Sequence, residues 1–401
     1  MIALEEIKKL AISSPSKIVM LVIDGLGGLP DPKTWETEID IAFTPNLDNL
    51  AREGVCGLID PVSPGITPGS GPGHLALFGY DPLRFTIGRG ILEALGIDFE
   101  IEEGDIAARG NFCTIDEKGL ITDRRAGRIS TGDCAELCTL LDKIKLPDVQ
   151  LFVLPIKEHR FLMVLRGKDL SPAITDTDPQ KPGFAPVTTV ETEPQARHTA
   201  YLVNRFTNEA REILASQYQT NMLLLRGFSK LPVLPSMNEI YKLSPAGIVE
   251  YPMYKGLAKL VGMKTFQASN GIRDELAIVA NRYAEHDFFY VHFKKTDSAG
   301  EDGDFERKIQ YIEEIDALLP QILDLSPEVM IVTGDHSTPS LLKGHSWHPV
   351  PLLIKSQWCR PDQVLAFSET ACVSGGLGRF PAVELMPLAM ANALKLNKFG
   401  A

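Results

Sequence analysis

The sequence predicts an α/β protein: a mostly parallel sheet flanked by helices, interrupted by an inserted α+β domain. Three observations carry this. Continuous apolar runs of β-forming residues recur at 17–23 (KIVMLVI), 287–293 (DFFYVHF), 329–336 (VMIVTGDH) and 350–356 (VPLLIKS), the pattern of strands buried on both faces. Segments of helical periodicity separate them. The middle of the chain, roughly 85–230, changes character, with short alternating strands (ARGNFCTID, HRFLMVLRG), a proline-rich loop and a concentration of arginine. The expected division is a core of 1–84 and 231–401 carrying the insertion 85–230.

Taken in order, residues 1–16 read as a short amphipathic helix and linker, without the apolar stretch of a secretory signal. The strand at 17–23 ends at Asp24 and Gly25. TPNLDNLAREG (44–54) reads as a helix with Thr44 as N-cap, Pro45 at the first position, Leu47, Leu50 and Ala51 on the buried face, and Gly54 as its stop. Residues 61–74 are rich in Pro, Gly and Ser. Pro72 suits the first turn of a helix, which places Ser70 at that helix's N-terminus. TDSAGEDGDFE (296–306) reads as an acidic loop, with Asp304 capping the helix FERKIQYIEEIDALLPQIL that follows. The segment 382–394 reads as helical, with Pro387 kinking it or marking its start.

The chain has 401 residues, 44% hydrophobic and 23% charged, which suits a globular protein with a sizeable core. A net charge of -12 argues against sequence-independent nucleic-acid binding, although a local arginine cluster can still hold an anion. No run of 18 apolar residues predicts a membrane span. The six cysteines form no CxxC pair and read as reduced thiols of a cytoplasmic protein.

Several polar residues sit where an α/β sheet places its chemistry, just past the C-terminal ends of strands. Asp24 follows the first strand and is either a cation ligand or a turn aspartate. Ser70, set in TPGSGPGH, is either a nucleophile at a helix N-terminus, where a phosphate is favoured, or a plain N-cap. His74 reads as a packing histidine. Asp335 and His336 end a strand, and His345 and His348 follow in GHSWHPVPLLI, a grouping suited to divalent metal. Asp297 and Glu301 are the acidic residues nearest the end of the strand at 287–293, with Asp302 close behind. Arg109, Arg124, Arg125, Arg128, Arg160, Arg166, Arg226 and Lys255 form a basic set, densest in TDRRAGR, that is either an anion site or a solvated face.

Read in order, VIDGLGGLP, TPNLDNLAREG, GHLALFGYDP, ARGNF, ITDRRAGRI, ITDTDP, YKGLAKLVGM, HFKKTDSAGEDGDFERK, TGDHSTP and GHSWHPVPLLI resemble the alkaline phosphatase superfamily, most closely the archaeal-type branch of cofactor-independent phosphoglycerate mutases. The resemblance covers nearly the whole chain. It implies an alkaline-phosphatase-like core, two divalent metal ions (Mn²⁺, Mg²⁺, Co²⁺ or Zn²⁺), and a transiently phosphorylated serine. It implies further that Asp24, Ser70, Asp335 and His336 hold one metal, and Asp297 and His345 the second. The family's histidine four residues after the second site's aspartate is Glu301 here, which shifts that site toward harder ions. His348 falls where the family has a non-ligating residue. Arg109, Arg124, Arg125, Arg128, Arg160, Arg226 and Lys255 correspond to groups that bind phosphoglycerate, and Asp123 to a proton-shuttling carboxylate. The implied reaction interconverts 3-phosphoglycerate and 2-phosphoglycerate, with the insertion as a substrate-binding lid and no nucleic-acid or membrane partner. A phosphatase or phosphonate hydrolase on the same scaffold, or a weakened non-enzymatic homologue, are the alternatives.

Overall fold

Six consecutive apolar residues, Ile18–Ile23, offer no polar face to solvent, and the chain buries all six near the centre of a sheet. The computed structural model describes residues 2–269 and 271–400. The chain divides into two compact units: residues up to Thr86 with those from Leu234 on, and Ile87–Val233.

The first unit holds an eight-stranded sheet. Its spatial order is Gly378–Pro381, Val55–Asp60, Val350–Ser356, Val329–Thr333, Ile18–Ile23, Phe288–Phe293, Pro245–Val249 and Lys264–Gln267. All neighbours run parallel except Val350–Ser356, which is antiparallel to both its partners. The three central parallel strands are in close register: Ile23 pairs with Phe293, and Val22 with Thr333. Their C-terminal ends therefore lie side by side, and Asp24, Lys294 and Asp335 follow them within two residues. The antiparallel strand begins at this same end, where Val350 pairs with Ile59. The polar segment 334–349 thus stays over the strand ends.

Four expectations need correction. Residues 296–306 are not an acidic loop, because Lys295–Asp302 form a helix. Thr296, Ser298 and Gly300 are poor helix formers, and tertiary packing stabilises the helix instead: a Cβ on Gly300 would collide with the Thr338 backbone. Thr44 makes no side-chain cap to the helix Pro45–Glu53. Asp316, 2% exposed, does that work from a distant helix, accepting from the amides of Leu47 (2.7 Å) and Asn46 (3.2 Å). The C-terminal helix is Leu385–Asn392 after a 3₁₀ turn at Ala382–Glu384, so Pro387 falls in its first turn and neither kinks nor starts it. The predicted helix at 305–323 is broken at Pro320 into Phe305–Leu318 and Pro320–Leu323, and Asp304 caps it by accepting from the Arg307 amide at 3.0 Å.

The second unit is built on a five-stranded antiparallel sheet. Its long strand Ile106–Ile115 pairs with Arg160–Gly167, Met222–Ser229 and Ile121–Asp123, and Val149–Lys157 completes the sheet. Alternate residues serve opposite faces. Phe161, Met163 and Leu165 pack with the helices Thr131–Leu141 and Arg197–Leu214, whereas Leu162 and Val164 pack with Ile91 and Ala94 of the helix Arg89–Gly96. Among the described residues, no helix is long and apolar enough to cross a membrane. All six cysteines are free thiols.

Asp316→Ala should lower stability by about 2 kcal/mol, the upper end for loss of a helix cap, because it strands two amides of an otherwise uncapped helix. Urea denaturation followed by circular dichroism checks this, and an unchanged midpoint would show that the carboxylate is dispensable.

Candidate metal centre

The turn after Ile23 sets the first ligand candidate. Gly25 lies at φ +67°, and a Cβ there would meet the Asp297 backbone at 2.9 Å, so glycine lets two strand ends close on each other. Its amide donates to Asp335 Oδ1 at 3.2 Å, tying the third strand end to the first. Asp24, Asp297, Asp335 and His336 are all buried here. Ser70 opens the helix Ser70–Leu77 and comes within 3.3 Å of His336 Nε2 through its Oγ.

Two groups of metal-ligating atoms result: Asp24, Asp335 and His336, all buried, and Asp297, His336 and His345. Their chemistry fits a cation. Asp24 Oδ1 and Asp335 Oδ2 are buried and accept no hydrogen bond. Both face His336 Nε2, at 3.4 and 3.2 Å. His74 Nδ1 is 3.1 Å from Asp335 Oδ2, but its proton goes to the Ser70 carbonyl at 2.8 Å. His345 Nδ1 lies 2.9 Å from the Pro68 carbonyl, which can only accept. The lone pair of His345 is therefore on Nε2, aimed at Asp297 Oδ1 (3.5 Å) and Glu301 Oε1 (3.9 Å). Lone pairs facing lone pairs repel unless a cation stands between them.

Residues that the sequence reading did not single out hold this arrangement. His292 Nε2 donates to Asp24 Oδ2 at 3.0 Å, and its ring stacks on Tyr254 at 3.7 Å. Lys294 lies 3.3 Å from Asp24 Oδ2 and also bonds Asp297. Burial disfavours the charged form of Asp24, yet Lys294 and His292 hold its carboxyl well below the usual carboxylate range. Lys294 is held charged by the same pairing. Burial keeps His336 below its ordinary value, hence neutral and able to ligate. The signal for Lys294 was its place one residue past a buried strand. Glu301, one helical turn from Asp297, is half exposed. His348 stacks on Trp347 at 5.0 Å and belongs to neither group.

The arginines belong to the second unit. Arg109 and Arg226 sit opposite each other across antiparallel strands, an arrangement of like charges that destabilises the sheet by itself. Burial, Arg89 and Arg226 push Arg109 down to about 9 against the pull of Glu93, 3.6 Å away. Burial and Arg89 push Arg226 down to about 10. Arg89 was not anticipated from the sequence. His159, buried, is pushed down to about 3 by burial and by Arg160, Arg109, Arg125 and Arg128, so these four share one positive field. Besides Arg109, Arg160 is already engaged, 3.1 Å from Glu158, and Arg124 is bidentate to Asp178 at 2.6 and 3.2 Å. Arg166 is committed to Asp105 and Glu102. Asp123 accepts from the amides of Arg125 (2.7 Å) and Gly127 (2.6 Å), which is the work of a turn-capping carboxylate. Lys255 lies in the first unit, on the helix Pro252–Leu260.

A family model for 2,3-bisphosphoglycerate-independent phosphoglycerate mutase matches residues 51–219. The chain is 49% identical over 400 residues to a protein of Thermus thermophilus named "Probable 2,3-bisphosphoglycerate-independent phosphoglycerate mutase", covering 98% of each chain. It is 50% identical over 399 residues to the protein of the same name in Thermotoga maritima, covering 99% of each. Among solved structures, the cofactor-independent phosphoglycerate mutase from Thermoplasma acidophilum gives a TM-score of 0.70 at 32% identity, over 94% of this chain and 100% of that one. A protein from Pyrococcus horikoshii gives 0.83 at 28% identity, over 96% and 99%. A mostly parallel sheet that gathers buried carboxylates and imidazoles at its strand ends defines an α/β protein with candidate metal-binding groups. Within that class, identity of this degree over nearly its whole length shows that the chain belongs to the family of 2,3-bisphosphoglycerate-independent phosphoglycerate mutases.

Glu301→His should move metal preference away from Mg²⁺ and toward Zn²⁺ or Co²⁺, since imidazole is softer and removes one negative charge. Metal titrations of both proteins by calorimetry check this. Identical profiles would mean that Glu301 does not reach the cation.

Proposed function

We propose that this chain interconverts 3-phosphoglycerate and 2-phosphoglycerate without 2,3-bisphosphoglycerate, through a phosphoserine at Ser70. The observation that carries the reading is the meeting of Ser70 Oγ with His336 Nε2, 3.3 Å apart, beside the unpartnered Asp24 Oδ1 and Asp335 Oδ2. Asp24, Ser70, Asp335 and His336 would hold one divalent ion, and Asp297, Glu301 and His345 a second, drawn from Mn²⁺, Mg²⁺, Co²⁺ and Zn²⁺. When bound, these ions supply positive charge that eases loss of the Ser70 proton and offsets charge on the phosphoryl oxygens.

Ser70 Oγ forms a bond to phosphorus as the bond from phosphorus to the substrate's C3 oxygen breaks. That oxygen takes up a proton, and Ser70 gives one up. Glycerate then turns, and its C2 hydroxyl gives up its proton as its oxygen bonds to phosphorus. Ser70 Oγ leaves and regains its proton, so atoms and protons balance over the cycle. The start of the helix Ser70–Leu77 directs backbone N–H groups toward the transferred anion. The oxygens of Asp123, the carboxylate that the resemblance offers as proton shuttle, accept from the Arg125 and Gly127 amides of a turn.

Retention of glycerate between the two half-reactions needs cationic groups, because its carboxylate is the handle that remains after the phosphoryl group leaves. The opposed pair Arg109 and Arg226, with Arg89, supports this role, since an anion between them would relieve their repulsion. Arg124, Arg125, Arg128 and Arg160 complete the proposed substrate-binding set of the second unit. Water must be excluded while the phosphoserine exists, because water attack would turn transfer into hydrolysis.

Ser70→Ala should lower kcat at least about a thousand-fold with an unchanged circular dichroism spectrum, as expected when a covalent nucleophile is removed. An enolase-coupled assay with 3-phosphoglycerate, no added bisphosphoglycerate and reloaded metal measures it. More than a tenth of wild-type activity in the variant would sink the phosphoserine route. Release of inorganic phosphate faster than 2-phosphoglycerate would favour the hydrolase reading.

A further inference from the structure

By distance, His336 fits either group of ligands. The hydroxyl of Thr338 removes that ambiguity. Thr338 is fully buried, and its Oγ1 lies 2.7 Å from Asp297 Oδ1 and 3.0 Å from His336 Nδ1. A hydroxyl has one proton to give, and a carboxylate can only accept. The proton therefore goes to Asp297. The contact with His336 must run the other way, with Nδ1–H donating to Thr338 Oγ1. The lone pair of His336 is then on Nε2, the nitrogen that faces Ser70 Oγ at 3.3 Å, Asp24 Oδ1 at 3.4 Å and Asp335 Oδ2 at 3.2 Å.

We infer that Thr338 is a positioning residue that assigns His336 to the Ser70 group by fixing its tautomer, and that its hydroxyl links one ligand of each group into a single hydrogen-bonded chain. The inference rests on the metal-centre reading above. The second group is then Asp297 and His345, with Glu301 beside them, and its histidine has its own tautomer set by the Pro68 carbonyl. Both imidazoles present Nε2 inward and anchor Nδ1–H outward, the usual way a protein fixes a metal-binding histidine.

Thr338 can act in this way because its own backbone is immobilised. Its amide donates to the Gly27 carbonyl at 3.0 Å. Its carbonyl accepts from Lys308 Nζ at 2.9 Å, and Lys308, fully buried, also donates to the Gly27 carbonyl at 3.1 Å. Gly300, one turn of helix past Asp297, packs against the same residue. Asp297, Thr338 and Gly27 are thus braced together, and rotation of the Thr338 side chain would break both of its bonds.

The test uses the full-length protein with histidine labelled in ¹⁵N, wild type and Thr338→Val and Thr338→Ser. Long-range ¹H–¹⁵N correlation spectra of the metal-free protein report the tautomer directly. The expected result is protonation of His336 at Nδ1 in the wild type and in Thr338→Ser, and a mixture or the other tautomer in Thr338→Val. Co²⁺ titration by calorimetry and visible absorption should show two sites in the wild type. Binding at the Ser70 group should be weaker by about 10–100-fold in Thr338→Val, as for loss of a group that orients a ligand, and recovered in Thr338→Ser. Protonation of wild-type His336 at Nε2 would overturn the inference whatever the metal data show, and it needs no variant to fold. Wild-type Co²⁺ affinities in Thr338→Val would overturn it too. Absence of Co²⁺ uptake by a wild type carrying the Nδ1–H tautomer would instead overturn the metal-centre reading, and the role of Thr338 with it.

Discussion

Three buried carboxylates, Asp24, Asp297 and Asp335, are forced together where the strands end, in surroundings with little water to screen them. Their mutual repulsion is the constraint to which the rest of the first unit answers. Lys294 is a cation in direct contact with two of them, and His292 and His74 supply further contacts. Flexible loops would relieve the repulsion by moving apart. The chain prevents this by hanging each carboxylate within a few residues of an internal parallel strand. It cross-links the ends through the Gly25 amide, the Thr338 hydroxyl and the Lys308 ammonium. Rigidity here keeps an electrostatically unfavourable set of atoms in one place until a counter-ion joins it.

Much of this was legible in the sequence. Buried parallel strands leave continuous apolar runs, so Ile18–Ile23, Phe288–Phe293 and Val329–Thr333 stand out, and the polar residue at each end stands out with them. The helix Lys295–Asp302 did not, because its residues are poor helix formers and its stability comes from packing against a loop some forty positions away. The same blindness hid Asp316 as the cap of Pro45–Glu53 and Thr338 as the partner of two ligands. Their roles are set by neighbours distant in sequence, and local pattern carries no trace of them. The deviant Glu301 was visible only against the family's usual histidine. Its exposed side chain and the 3.9 Å to His345 are properties of the fold alone.

The second unit poses the opposite electrostatic problem. Arg109 and Arg226 face each other on paired strands, Arg89 approaches both, and a buried imidazole beside them is driven far from protonation. Partial pairing with Glu93, Asp178 and Glu158 leaves the field positive. A chain of net charge -12 thus keeps a cationic cluster in one unit and an anionic one in the other. The overall sign conceals both, which is why whole-chain charge argues against sequence-independent nucleic-acid binding but says nothing about a small anion.

The order of the strands in the first unit has a consequence for how the chain comes into being. Ile18–Ile23 leaves the ribosome before either of its neighbours exists, because Phe288–Phe293 and Val329–Thr333 are made more than 250 residues later. At ordinary rates of synthesis, roughly 5–20 residues per second, that apolar strand waits for tens of seconds without a partner. All strands of the second unit are made in the meantime and pair among themselves. The first unit's sheet, with its long-range pairings, can close only after Val329–Thr333 and Val350–Ser356 have been made, and such long-range pairing is slow. Nascent Ile18–Ile23 is therefore exposed to chaperone capture and to misassociation, as is Val55–Asp60, whose partners are made later still, although both strands are buried throughout in the finished molecule.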